Sequence, residues 1–286
     1  MFRERKDGKL LKDIDSLHFV SGFLYPNRCD NEFYVEETID LQNTDLYLRL
    51  KNSKNDGNSY NMFQVIVAAA MKTFMLKPKL NRFIMNGDYY QRNEVSIAFP
   101  VKKSFTENAE SVSVILRAKP DWTMEEVHNR MVKQIREVRE RPYDRASKQF
   151  DDIRKMPRFI SRAFARFVRF ADRHGFPPEY LLEKDPYHTT MVISNLGSLK
   201  MEHGHHHLTD FGTTSFVCTV GIRKERPFPK ADGSFEMRDS VTVGITLDER
   251  LADGIYFSRA AGLFKNLIEN PVLLDLPFER EVETNG

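Results

Sequence analysis

An alternating apolar and polar run from Ser240 to Leu247 leads directly into Asp248-Glu249-Arg250-Leu251-Ala252-Asp253-Gly254, where a helical pattern begins at Asp253 and runs to Glu269. Period-two alternation marks a half-buried strand and 3.6-residue periodicity a helix, and Asn270-Pro271 stops the latter. Any fold for this chain must therefore seat a seven-residue polar turn between the end of a strand and the start of a long helix.

The same signals organise the rest of the chain. Asn31–Asp40 alternates as a strand through Phe33, Val35 and Ile39, and Tyr60–Leu76 reads as a strong helix closed by Lys77-Pro78. Asn86-Gly87-Asp88 is a tight turn, and Val95–Val101 and Ser111–Ala118 read as strands. Thr123-Met124-Glu125-Glu126 is a capping box that opens a helix to about Arg139. A second helix is expected from Pro157 to about His174, then strands at Thr189–Ser194 and Thr213–Ile222 and a hairpin with Ala231-Asp232-Gly233 at its tip. Strands and helices mix without a βαβ repeat, a glycine-rich phosphate loop, CxxC pairs or internal repeats. The pattern is α+β, and a dinucleotide fold or zinc ribbon is not expected.

Composition narrows the function classes. Among 286 residues 41% are hydrophobic and 29% charged, enough apolar material for a sizeable core, and a net charge of only +2 implies no polyelectrolyte role. Nucleic-acid binding is not expected. Cys29 and Cys218 are expected to be buried, reduced thiols rather than a bridge. The N-terminal residues lack the apolar core of a signal peptide and no run is long enough to span a bilayer, so the expected location is cytoplasmic.

Four segments of the last third stand out: Val192-Ile193-Ser194-Asn195-Leu196-Gly197, then His203 to Gly212 with histidines at 203, 205, 206 and 207, then Thr214 to Gly221, then Asp248 to Gly254. Together with Glu269-Asn270-Pro271 they resemble, in order and rough spacing, the catalytic domain of the 2-oxo acid dehydrogenase dihydrolipoamide acyltransferases, which shares its fold with chloramphenicol acetyltransferase. The resemblance extends more loosely to the N-terminal half, through the strand near Phe33, the helix from Tyr60 and Pro78-Lys79-Leu80-Asn81-Arg82.

That resemblance implies a single two-layer domain spanning 1–286, with a mixed β-sheet covered by helices and a basic helical insertion at about 143–178. It implies a homotrimer with sites between subunits and coenzyme A thioester as substrate, with no bound cofactor. With 286 residues the chain is expected to have room for neither a lipoyl domain nor a Pro/Ala-rich linker ahead of such a core, and so to be a stand-alone variant. In the family's His-x-x-x-Asp-Gly turn the histidine is a general base, a serine on the Ile-Ser-Asn turn stabilises the oxyanion, and the aspartate braces the loop through an arginine.

Carried over by position, Ser194 takes the oxyanion role, Asp253 and Gly254 the bracing pair, and Glu249 stands where the base would be. A free carboxylate titrates near 4.3, against about 6.5 for imidazole, and makes a poor base for a thiol unless burial strengthens it. Three readings of Glu249 stay open: a surrogate base, an ion-pair partner of Arg250 or Arg28 in a site of altered chemistry, or a bystander to a histidine from elsewhere. His206 and His207, with Asn195 and Gly254, are the candidate substrate contacts; adjacent histidines converge poorly on one ion, so no metal site is assigned. Ser194 and Asn195 would equally serve as turn formers. The expected function is a CoA-dependent acyltransferase of weakened catalysis; the alternative is a non-catalytic trimeric scaffold or binding module of the same fold.

The expected helix near 157–174 carries Arg158, Arg162, Arg166, Arg169 and Arg173 in one stripe, with Phe159, Ile160, Phe164, Phe167 and Phe170 filling much of the rest. It packs its phenylalanines on the core, binds an anionic membrane surface or an acidic partner, or binds the coenzyme phosphates; all three readings stay open.

Overall fold

A computed structural model describes residues 5–54, 57–102, 111–140, 155–282. Its principal sheet runs in the order β2 (Glu32–Asp40), β10 (Phe235–Asp248), β8 (Phe216–Val220), β7 (Met191–Asn195), β5 (Val95–Lys102), β6 (Ser111–Ala118), with β9 (Lys224–Pro229) pairing the outer part of β10. The β5–β7 and β7–β8 pairs are parallel and the rest antiparallel, so the sheet is mixed. A small antiparallel sheet orders β1 (Gly8–Leu10), β4 (Asp88–Arg92) and β3 (Arg82–Met85).

One face of the main sheet carries the core. Val241, Val243, Ile245 and Leu247 alternate inward along β10, with Met191 and Ile193 of β7, and all are buried. They meet α3 (Met62–Leu76) and α7 (Gly254–Glu269), while α4 (Met124–Glu140) covers the β5–β6 end. The α3 helix is started by a reciprocal cap between Asn61 and Gln64 and buries eleven consecutive residues, Gln64 to Phe74. This is the expected two-layer α+β architecture.

Four expectations are corrected. The expected strand at Ser240–Leu247 is the inner part of a longer strand, because β9 pairs Phe235 to Ser240 across the hairpin. Two helices, α1 (Ser16–Leu24) and α2 (Gln42–Ser53), give no core-facing stripe in the sequence, since each buries a single residue, Gly22 and Thr44. Cys218 is buried, as expected, but Cys29 lies exposed in a short 3-10 turn. The arginine-rich helix, α5 (Arg158–Arg173), does not pack its phenylalanines on the core; Phe159 is 74% exposed and Phe167 66%. A short helix, α6 (Glu179–Lys184), follows it. Of the expected insertion at 143–178, residues 143–154 lie outside those described.

Candidate functional site

The strand-to-helix turn is built around a buried carboxylate. Asp248 closes β10 on the polar side of its alternation, in phase with Thr242, Gly244 and Thr246, and is fully buried. Arg250 meets it with two parallel bonds, Nε to Oδ1 at 2.8 Å and Nη2 to Oδ2 at 2.7 Å. Arg28 approaches from the other side, Nε to Oδ2 at 3.8 Å, and donates to the carbonyls of Thr209, Gly212 and Ile84. Burial lowers the Arg28 pKa despite Asp248; for Arg250 the same penalty is outweighed by Asp248, and its pKa is raised. The clamp ties the turn to the N-terminal region, since Arg250 Nη1 also donates to the Tyr25 carbonyl.

Within this rigid frame, Glu249 points elsewhere. Its backbone N–H donates to the Asn31 carbonyl, while its side chain is exposed and bonds to no described residue. The ion pair that the sequence suggested between Glu249 and Arg28 or Arg250 does not form, because Asp248 takes both guanidinium groups. The burial that a surrogate base requires is also absent from this chain taken alone.

Glu249 does stand on a cavity. A cleft of about 610 Å³ opens between β2, β10, α3 and α7. Met191, Phe216, Ile245 and Leu247 form its floor, Ala70 and Phe74 one wall, and Phe257, Ala260 and Phe264 the other. Glu249 and Gly254 also line it, with Glu36 and Glu37 of β2; its lining holds no lysine or arginine. Volume and apolar lining are those of a small-molecule site.

The remaining expected site residues divide. Asp253 does not bridge an arginine; its Oδ1 accepts the Tyr256 N–H at 2.9 Å as the N-cap of α7, and this hydrogen bond keeps its pKa below the ordinary carboxylate value. Bracing falls instead to Asp248, which lies on the polar side of β10 and is nonetheless fully buried, and a buried aspartate requires a cation. Ser194 lies on β7 three residues beyond Met191 and so faces the side of the sheet opposite the cavity floor, in register with Thr219. It is therefore not brought together with Glu249 within one chain. Asn195 is committed to its turn, its Oδ1 accepting the Ser198 N–H at 3.2 Å.

The histidine segment crosses that opposite face. Thr219 Oγ1 exchanges hydrogen bonds with the Gly204 backbone. The Nε2 atoms of His203 and His205 both reach Glu36 Oε1, at 3.1 and 3.4 Å. His206 and His207, favoured by the sequence, are exposed, stack on one another at 4.8 Å and do not line the cavity. No group of three or more potential ligands capable of holding a metal ion occurs among the described residues.

Comparison with known proteins follows this geometry. Residues 179–276, roughly a third of the chain, match the family model described as 2-oxoacid dehydrogenases acyltransferase (catalytic domain). A search of curated proteins gives no match. Among solved structures, the dihydrolipoamide acetyltransferase of Azotobacter vinelandii superposes with a TM-score of 0.61 at 10% identity, covering 92% of this chain and 93% of that one; a serine, a histidine and an asparagine of that protein were investigated for their role in its catalytic mechanism. The probable dihydrolipoamide acetyltransferase of Listeria monocytogenes gives 0.59 at 12% identity, covering 92% and 95%. A chloramphenicol acetyltransferase gives 0.55 at 11% identity, covering 92% and 98%. The chain thus has the chloramphenicol acetyltransferase-like fold, and its residues 179–276 are similar to the catalytic domain of the 2-oxoacid dehydrogenase acyltransferases.

Proposed function

We propose that this protein binds an apolar acyl group, presented as a coenzyme A thioester, in the cavity beside Glu249, and transfers it slowly. The observation that carries the proposal is an apolar cleft lined by the exposed carboxylate of Glu249, the residue that the sequence resemblance sets at the family's base position. The lining suits the acyl portion of the thioester. It offers the coenzyme phosphates no lysine or arginine, so the nucleotide lies outside the cleft. In the trimer that the family resemblance implies, sites form between subunits, and Ser194 on the far face of the sheet serves the cavity of a neighbouring copy.

The chemistry is acyl transfer without its usual base. The acceptor thiol, hydroxyl or amine attacks the thioester carbonyl and gives up its proton to solvent water, the oxyanion receives a hydrogen bond from Ser194, and its collapse breaks the C–S bond and expels the thiolate of coenzyme A. Loss of a general base costs about two to four orders of magnitude, while oxyanion stabilisation and binding persist.

The test is thiol release from a panel of acyl-coenzyme A thioesters, comparing wild type with Glu249→His, Glu249→Gln and Ser194→Ala. Slow release is expected from wild type, unchanged within a few-fold in E249Q, lower in S194A, and higher in E249H by up to about a hundredfold or more. Absence of release from every donor in both wild type and E249H would overturn it. A second reading is favoured by the separation of Glu249 and Ser194 on opposite faces of one chain: a non-catalytic module of the same fold. Its signature is saturable acyl-thioester binding with no turnover in any variant.

A further inference from the structure

Two helices remain outside the acyl-transfer reading, and both expose apolar faces. In α5, at about 100° per residue, the five arginines at 158, 162, 166, 169 and 173 fall within an arc of about 80°, and Phe159, Phe170, Phe167, Ile160 and Phe164 fill the adjoining arc of about 140°. The exposures of Phe159, Phe164, Phe167 and Phe170 are 74, 48, 66 and 59%. None of the five guanidinium groups bonds to a described residue. The helix meets the body at its C-terminal end, where Ala171 and Asp172 are buried and Asp172 is held by Arg5 at 3.0 Å and His188 Nε2 at 3.3 Å. The single acid of α5 is thus neutralised on the inner side, and the outer sides carry cations and phenylalanines alone.

The second helix extends this surface. In α1, Leu17, Phe19, Val20, Phe23 and Leu24 are between 47 and 77% exposed, and the helix contains no acidic residue. Both helices lean on one turn. A Cβ at Gly87 would lie 2.8 Å from the Phe23 ring, and Asn86 Nδ2 donates to the carbonyl of Arg173, the last residue of α5.

We infer that α5 and α1 together form a surface that adsorbs the protein onto an anionic lipid bilayer, with the phenylalanines and α1 aliphatics in the acyl boundary and the arginines among the headgroup phosphates. Symmetric pairing of two α5 faces does not cover this surface, because it would set arginine stripes together with no exposed acid on either helix to answer them. Aromatic and aliphatic residues beside a cationic border are the composition of an interfacial helix. At 16 residues α5 is about 24 Å long, and no helix among the described residues is long and apolar enough to cross a membrane, so the helix lies on the surface.

The test is co-sedimentation of the full chain with vesicles of phosphatidylglycerol and phosphatidylcholine in equal parts, against pure phosphatidylcholine. Each arginine near an anionic surface is worth about fivefold in partitioning, so Arg162→Glu with Arg166→Glu should lower it by about 25-fold or more. Phe164→Ser with Phe167→Ser should also release the protein, Arg162→Lys with Arg166→Lys should retain it, and binding should weaken as salt rises. All these side chains are exposed, so the variants fold, which circular dichroism verifies. Failure of wild type to partition, equal partitioning onto neutral vesicles, indifference to both sets of substitutions, or binding to polyglutamate without binding to vesicles would each overturn the inference. The readout involves no turnover, so it stands or falls apart from the acyl-transfer reading.

Discussion

Arg250 grips Asp248 with two parallel hydrogen bonds, 2.8 and 2.7 Å, and both side chains are almost wholly out of solvent. The pair fixes the path of the chain between β10 and α7, and with it the placement of Glu249 at the cavity. Removing one member of a buried pair leaves the other charge uncompensated and costs about 3–5 kcal/mol. Arg250→Met and Asp248→Ala should each lower stability in urea by that amount. The alanine variant should be the worse, because it strands Arg28 as well. A loss below about 1 kcal/mol in both would show that the clamp is not what holds the turn.

Much of this architecture can be read from the residues, for physical reasons that differ by element. The α7 helix buries one face and the inner half of β10 alternates apolar and polar residues, so their periodicity is visible, whereas α3 buries eleven consecutive residues and is legible from its apolar run and its stop at Lys77-Pro78. The α1 and α5 helices are amphipathic too, yet their apolar faces are outside, and periodicity alone does not say which side a stripe faces. At the site, the strand-turn-helix order fixed where Glu249 and Gly254 would lie. The bracing role expected of Asp253 falls to Asp248, because a helix cap and a buried brace draw on the same residue type and sequence alone does not separate them. Among the histidines, the pair that meets a partner is 203 and 205, since residues two apart on an extended segment share a face, and the adjacent pair 206 and 207 does not reach Glu36.

The cluster anchoring α5 should make stability depend on pH from both sides. Burial alone would lower the His188 pKa, but bonds to Asp172 and Asp185 outweigh it and raise it above 6.5. Burial alone would raise the Asp172 pKa, but His188 and Arg5 hold it below 3.8. The histidine's contribution is therefore complete below about pH 6.5 and lost as pH climbs through its folded value. The aspartate's contribution is present above about pH 3.8 and lost as pH falls through its own folded value. Thermal midpoints should be highest between those limits, and Asp172→Asn should be less stable there with a flatter profile. A wild-type midpoint indifferent to pH above 6.5 would contradict the linkage.

The two thiols should separate cleanly. Burial pushes the Cys218 thiol up to about 12, and it lies inside β8. Cys29 is exposed, with Sγ 3.4 Å from Asp210; partial desolvation and that carboxylate raise its pKa. Titration with a disulfide reagent under native conditions should count one thiol, reacting slowly at neutral pH, and two after denaturation. Cys29→Ser should abolish the native reaction and Asp210→Asn should speed it. Rapid reaction of both thiols in the folded protein would place Cys218 at the surface.

The histidine segment lies flat on the sheet because two glycines beneath it have no side chains. A Cβ on Gly244 would sit 2.5 Å from the Gly204 carbonyl oxygen, and one on Gly221 would sit 2.6 Å from the His203 nitrogen, both of them backbone atoms that cannot rotate away. Gly244→Ala must lift the segment, breaking the Thr219 bonds to Gly204 and drawing His203 and His205 off Glu36. The expected cost is about 1–3 kcal/mol, the usual penalty of overpacking. Gly204 itself has nothing within 4 Å of its own Cβ position, so Gly204→Ala, in the same segment, should stay within about 0.5 kcal/mol of wild type. Chemical denaturation of both variants, with limited proteolysis of residues 200–212 as the local readout, separates contact with the sheet from a general intolerance of the segment. Equal losses in the two variants would mean that the segment's own backbone, rather than its contact with β8 and β10, sets where the histidines stand.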